Sequence, residues 1–174
     1  MNSVASPREK SALSPIAAIL LAGLVAGTLD IGAACLITAK NIPYILHVIA
    51  GGLLASQAFS GGLPTVLLGL LLQEAMGVLI AAIYIVAIRF LPWLRGRWIA
   101  GGIAYGITVY FVMTYVVVPL SAWHSSPTFK WRSFLANMAA MWVFGLIVAY
   151  FGSRTRFASG SMPAAGAEAA SASH

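Results

Sequence analysis

The chain has 174 residues, of which 60% are hydrophobic and only 8% are charged, and its mean hydropathy is +0.91. Because a soluble domain carries about 25% charged residues, this composition excludes a soluble protein and indicates an integral membrane protein. The net charge of +6 does not indicate nucleic-acid binding, since the basic residues punctuate the ends of apolar runs and form no single basic patch.

The first apolar run predicts a membrane-spanning helix over residues 15–38, with Pro15 suited to its first turn. Arg8 and Lys10 precede the run, as basic residues do in a secretory signal peptide. The run nevertheless continues for about 23 residues, which is long enough to cross a bilayer. We therefore expect an uncleaved helix that follows a cytoplasmic tail over residues 1–14.

The second apolar segment, residues 42–59, is ambiguous. An unbroken helix there would have about 17 residues, which is the lower limit for crossing a membrane. The segment also contains Gly51 and Gly52, and a Ser-Gly-Gly break follows it at residues 60–62. We expect a re-entrant or interfacial helix between the first two spans, and a fifth crossing is the alternative.

Three further apolar runs predict membrane-spanning helices. They cover residues 63–90, 98–118 and 131–151. Residues 153–174 are rich in Ala, Ser and Gly and lack apolar periodicity, which is typical of a disordered tail. The sequence thus predicts an all-α fold, a four-span transmembrane helix bundle in one membrane domain over residues 15–152, with a cytoplasmic tail after it.

The basic residues favour cytoplasmic N- and C-termini. With four spans, seven Lys and Arg residues fall inside and three outside, which is the positive-inside pattern of membrane proteins. The inner set is Arg8, Lys10, Arg89, Arg95, Arg97, Arg154 and Arg156, and the outer set is Lys40, Lys130 and Arg132. A fifth span would leave either the N-terminal or the C-terminal basic cluster outside.

Two of the four acidic residues, Asp30 and Glu74, lie inside predicted spans. A charged side chain at the centre of a bilayer costs roughly 2.5–3.5 kcal/mol on insertion scales, so it normally faces the protein interior or a watery cavity. With a rise of about 1.5 Å per residue, both carboxyls are expected at one depth, in a layer that also contains Gln73 and Asn137. These four side chains form the candidate intramembrane polar or proton site.

Small residues accompany the acids on their helix faces. The face of Asp30 carries Gly23 and Gly27, and the span over residues 98–118 carries Gly102 and Gly106 at the same spacing. Pairs of small residues four positions apart let membrane helices approach closely. We therefore expect these four glycines to lie at helix-packing contacts.

The polar layer has two interpretations, and the sequence leaves both open. In the first, hydrogen bonds to the acids lock the bundle, and such contacts contribute about 0.6 kcal/mol each on average. In the second, loss of hydration and mutual repulsion disfavour two negative charges, so that one carboxyl takes up and releases a proton during transport of a small solute.

No sequence motif indicates catalysis. No His or Cys pair has the spacing of a zinc site, and there is no nucleophile elbow, phosphate-binding loop or dinucleotide fingerprint. We therefore expect a protein that is not an enzyme, with no catalytic residue, metal or cofactor.

Several stretches resemble one family. They are Gly23 to Asp30, Gly61 to Leu72, Gly102 to Gly106, Val109 to Met113 and Val118 to Ala122. They are similar to parts of the YagU-like proteins, a group of uncharacterised small bacterial multi-pass inner-membrane proteins, over about residues 22–151 of this chain. The resemblance implies a location in the bacterial inner membrane. It also implies histidines at the places where this chain has Gln73 and Asn137, so a site built on those histidines would lack its ligands here.

The sequence therefore predicts a membrane protein whose biochemical role is most consistent with a structural or accessory subunit. The alternative is proton- or cation-coupled transport of a small solute that uses the intramembrane acids. The expected partners are the lipid bilayer and either a second copy of the chain or another membrane protein.

Overall fold

A computed structural model of the chain describes residues 13–123 and 130–155. The two predicted tails lie almost wholly outside the described residues, and so does the loop over residues 124–129. Three of the basic residues that orient the chain, Arg8, Lys10 and Arg156, are also outside the described ranges.

The described chain is helical. In chain order its elements are α1 (Pro15–Thr38), α2 (Ile42–Leu54), a 3-10 turn (Ala55–Phe59), α3 (Gly62–Phe90), α4 (Trp93–Gly96), α5 (Trp98–Val112), a π turn (Met113–Val117), α6 (Val118–Leu120) and α7 (Trp131–Ser153). Residues 13–123 and 130–155 contain no β-strand, so the all-α prediction is confirmed for this part of the chain. Five segments are long and apolar enough to cross a membrane, namely α1, α2 with its 3-10 turn, α3, the continuous α5–α6 helix and α7.

Local sequence signals set the helix starts. The Ser14 hydroxyl accepts a hydrogen bond from the Ala17 N–H at 3.2 Å, and the Asn41 side chain accepts one from the Tyr44 N–H at 3.0 Å. A proline occupies the first turn of both α1 and α2, where its missing N–H costs nothing. These side-chain caps satisfy backbone donors that a helix start otherwise leaves without a partner.

The α5–α6 helix contains a wide turn just before its end. Pro119 has no N–H, so the carbonyl of Tyr115 lacks the donor that an α-helix would supply four residues later. Upstream, the Val118 N–H bonds the carbonyl of Met113, five residues before it, and closes a π turn. Proline therefore does not stop this helix at once, since the helix continues to Leu120.

Helices α1 and α3 pack antiparallel along a line of small residues. Gly23 lies against the backbone of Val78, where an added Cβ would be 2.5 Å from the Val78 Cα. Further along α1, Asp30 bonds Gln73, which lies earlier in α3. Because residue numbers rise along α1 as they fall along α3, the two helices run in opposite directions.

The other long helices continue this up-and-down pattern. The Tyr105 hydroxyl on α5 donates to the Ile80 carbonyl on α3 at 2.7 Å. Gly102 faces Gly145 on α7 so closely that an added Cβ would be 2.9 Å from the Gly145 carbonyl oxygen. At one end of the bundle the Leu13 N–H donates to the Arg154 carbonyl at 3.3 Å, so the first and last described residues lie together.

The interior and the exterior of the bundle are both apolar. Small side chains fill the helix contacts, and Ala18, Ala22 and Ala81 are fully buried. Large side chains point outward, and Leu36 and Ile16 are 86% and 72% exposed. Soluble monomers rarely expose contiguous apolar surface on this scale. The architecture fits a multi-pass integral membrane protein whose outer surface contacts lipid.

Closely packed glycines provide a test of this packing. Gly106 on α5 touches the Met141 carbonyl of α7, and a Cβ there would overlap that carbonyl oxygen. We expect Gly106→Ala to lower the free energy of unfolding by about 1–3 kcal/mol in mixed detergent micelles, followed by circular dichroism. The matched control is Gly52→Ala, since a Cβ on Gly52 would meet only the Ser121 Cβ, at the ordinary contact distance of 3.9 Å. Equal effects of the two substitutions would contradict the packing.

Candidate functional site

Each intramembrane acid forms a hydrogen bond with a neutral side chain on the opposite helix. The Gln73 amide on α3 donates to Asp30 Oδ2 on α1 at 2.9 Å. In the reverse direction, the Thr28 hydroxyl on α1 donates to Glu74 Oε1 on α3 at 3.1 Å. These two bonds connect the helices at one level, because Gln73 and Glu74 are adjacent.

The two acids lie on different sides of the α1–α3 contact. Gly27 faces the Glu74 carboxyl and marks the contact line on α1. A helix turns about 100° per residue, so Thr28 and Asp30 project to opposite sides of Gly27. The structure therefore places the acids in two separate pairs, and not in one group of facing carboxyls.

The second oxygen of Glu74 has no hydrogen-bond partner among the described residues. Oε2 is buried and lies beside Gly27, where an added Cβ would be 3.0 Å away. Gly27 therefore makes room for this carboxyl, and a larger residue at position 27 would displace it.

A cavity of about 330 Å³ opens beside Asp30, between α1, α3, the α5–α6 helix and α7. Its lining residues are Asp30, Gln73, Met76, Gly77, Ile80, Val109, Tyr110, Met113, Thr114, Tyr115, Lys130, Ser133, Phe134, Asn137, Met141 and Phe144. Glu74 is not among them. The cavity thus gathers three of the four polar residues that the sequence selected, Asp30, Gln73 and Asn137.

The lining of the cavity changes from polar to apolar along α7. Lys130, Ser133 and Asn137 come first, at the end where α7 begins, and Met141 and Phe144 follow deeper in the bundle. Because residues three and four apart share a helix face, this series forms one continuous wall. A polar mouth therefore leads to an apolar floor.

The π turn forms much of the opposite wall. Met113, Thr114 and Tyr115 are consecutive, yet all three line the cavity. π turns in α-helices occur frequently at functional sites. The π turn could not be predicted, because it depends on backbone bonds that the sequence pattern does not display.

Asn137 contributes to the cavity without bonding the acids. Its side-chain amide donates to the Ser133 carbonyl of its own helix at 2.7 Å. Lys130 and Ser133 were missed as candidate site residues, because they lie at a helix start that the sequence alone assigns to the membrane boundary. Ser133 lies four residues before Asn137 and Lys130 three residues before Ser133, and this spacing is the signal that identifies the shared face.

A second, apolar groove of about 650 Å³ runs between α1 and α7. Nearly half of its lining residues are small, including Gly32, Ala33, Ala136 and Ala140, and most of the others are large and apolar. Asp30 lines this groove as well as the polar cavity. Asp30 therefore lies between the inner cavity and the groove on the outer surface.

The described residues contain no group of three His, Cys, Asp or Glu side chains close enough to hold a metal ion. Comparison of the chain with protein-family models, curated proteins and solved structures gave no match. The geometry of the site is accordingly the basis of the functional assignment.

The bond between Gln73 and Asp30 provides a second test. We expect Gln73→Leu to lower the free energy of unfolding in mixed micelles by about 1 kcal/mol, because Asp30 loses its donor. Thr108→Val is the control, since the Thr108 hydroxyl bonds only the Ala104 carbonyl one turn earlier in its own helix. Equal stability of the two variants would show that the interhelical bond contributes nothing.

Proposed function

We propose that this protein is a structural or accessory subunit of the bacterial inner membrane, in which the polar layer fixes the positions of the helices. The observation that carries the proposal is that both acids have neutral hydrogen-bond partners on the facing helix, at 2.9 and 3.1 Å. Such bonds give a membrane bundle a unique register at modest gain in stability. The inner membrane is proposed because the resemblance to the YagU-like proteins implies it.

We further propose four crossings, with α2 on the outer side. Support comes from the register of α1 on α3. Thr38, at the end of α1, is eight residues after Asp30, and Thr65, near the start of α3, is eight residues before Gln73. Both helices advance about 1.5 Å per residue, so these two positions lie at one level. The segment that connects them, α2 with its 3-10 turn, begins and ends on the same side of the bundle.

The contacts of α2 agree with a position at this end of the bundle. The His47 ring nitrogen Nδ1 lies 3.0 Å from the Thr65 hydroxyl, within the first turn of α3. The Trp123 indole donates to the Val48 carbonyl at 3.0 Å and lies against Gly51. These α2 residues thus contact segments at the outer helix ends, and Leu46 packs against Gly69 about two turns into α3.

Charge supports the orientation. At the end that contains Leu13 and Arg154, the other described basic residues lie in the last turn of α3 and in or just after α4. The sequence adds the basic residues of both tails to that side. Lys40, Lys130 and Arg132 lie at the other end. Since cytoplasmic segments carry the excess of Lys and Arg, we place both termini in the cytoplasm.

Cysteine labelling tests this topology. In a Cys35→Ala background, we expect Lys40→Cys and Ser60→Cys both to react with a membrane-impermeant maleimide on intact cells, because both ends of α2 are outside. Gly96→Cys, at the end of α4, should react only after lysis, and it provides the matched inner control. Labelling of Lys40→Cys and Ser60→Cys from opposite sides would establish that α2 crosses.

The groove between α1 and α7 supports an accessory role, and we propose that a helix of a second copy of the chain occupies it. Gly32 has nothing within 4 Å of its Cβ position, whereas Gly23 and Gly27 lie against α3. Glycine costs about 1 kcal/mol relative to alanine inside a helix, so an outward glycine is useful where another backbone approaches.

Proton- or cation-coupled transport is the second candidate, because the cavity exposes Asp30 to a polar mouth. We expect Asp30→Asn and Glu74→Gln to leave the thermal stability and oligomeric state in detergent unchanged, since an amide oxygen still accepts the bond from Gln73 or Thr28. Asp30→Leu removes that acceptor and should cost about 1 kcal/mol. A pH-driven uptake into proteoliposomes that both isosteric variants abolish would contradict the structural role and establish the carrier.

A further inference from the structure

The cavity beside Asp30 has the chemistry of a binding site. A bundle that only locks its helices has no need of an open volume of about 330 Å³ in its polar layer. Protein interiors normally pack to the density of organic crystals, and small-molecule pockets begin at about 300 Å³. The volume therefore suits a small solute, and it is too small for a complete two-chain lipid.

The lining defines the class of solute. Asp30 contributes the only carboxyl group among the lining residues, all of which belong to the described chain. Its Oδ2 accepts the bond from Gln73, and a carboxylate has further acceptor capacity for a ligand. Aromatic and methionine side chains surround this group, including Tyr110, Phe134 and Met141. Aromatic rings and polarisable sulfur atoms bind organic cations favourably, above all next to a carboxylate.

Lys130 is the other charged residue of the lining. It lies far enough from Asp30 that the space around Asp30 remains open to a cation. Lys130 is exposed at the mouth, seven residues before Asn137, which is about two helical turns or roughly 10 Å. A lysine side chain at a helix end extends towards the aqueous interface. A compact zwitterion would not reach both Asp30 and Lys130.

We propose that this cavity binds a small protonated amine with a compact apolar body. The ammonium group donates to the Asp30 carboxylate, and the apolar body occupies the floor against Met141 and Phe144. The site is argued from the lining of the cavity and does not depend on the accessory role, although Asp30 and Phe144 also line the outer groove. The amine is either a free solute or the ethanolamine headgroup of a lipid, which share the same ammonium chemistry.

Calorimetric titration of the purified full chain in a neutral maltoside detergent tests the site. The probes are benzylamine, which is protonated at neutral pH, and benzyl alcohol, which has nearly the same shape without charge. We expect saturable binding of benzylamine, at least about tenfold tighter than that of benzyl alcohol, because the hydrogen bond to Asp30 is charge-assisted. Absence of saturable benzylamine binding, or equal affinities for the two probes, would overturn the proposal.

The acids supply a matched pair of variants. We expect Asp30→Asn to weaken benzylamine binding at least about tenfold, while Glu74→Gln, the same isosteric change at the same level but outside the cavity, alters it less than about twofold. Asn137→Phe, which fills the cavity from a side chain bonded only within its own helix, should abolish binding of both probes. Equal losses in the Asp30 and Glu74 variants would overturn the site.

Added phosphatidylethanolamine distinguishes the two sources of the amine. Competition with benzylamine assigns the site to the lipid headgroup, and lack of competition assigns it to a free amine. Both results presuppose the Asp30-dependent binding of benzylamine, so they refine the ligand of the site.

Discussion

The antiparallel contact between α1 and α3 is the constraint on which the rest of the structure depends. Its close approach requires Gly23 and Gly27, since a side chain at either position would meet α3. Its register is fixed by the bond between Asp30 and Gln73. In lipid there is little hydrophobic force between helices, so packing of small residues and a few polar bonds must determine which surfaces meet. The depth of the acids, the level of α2 and the wall of the cavity all follow from this register.

Close packing and open volume occupy different parts of the bundle. Where α5 meets α7, Gly102 and Gly145 bring the backbones together and leave no room for a side chain. Towards the other end, the π turn at Met113–Val117 widens the α5–α6 helix, and the cavity lies against it. Pro119, which perturbs the end of this helix, follows closely on the π turn that lines the cavity. The polar cavity thus lies where one helix departs from α geometry.

The helices themselves were predictable, because each depends on its own residues. Caps such as Ser14 and Asn41 and the apolar run lengths gave helix ends that lie within two residues of those in the structure. Of the candidate site, the sequence identified Asp30, Glu74, Gln73 and Asn137 because polar groups are costly in lipid. It did not predict that Glu74 would bond Thr28 and stand apart from the cavity, since both acids satisfy the same depth argument.

The sequence by itself determined that the chain is helical, that its helices are long and apolar enough to cross a membrane and that its two acids lie at one level, because these properties depend on run length, composition and rise per residue. Only the tertiary structure decided which faces of the helices meet. A rotation of α3 by one residue, about 100°, would exchange Gln73 and Glu74 as the partner of Asp30 without changing any helix. That choice arises from the fit of Gly23 and Gly27 against α3, which is a property of two surfaces together and of neither sequence segment alone.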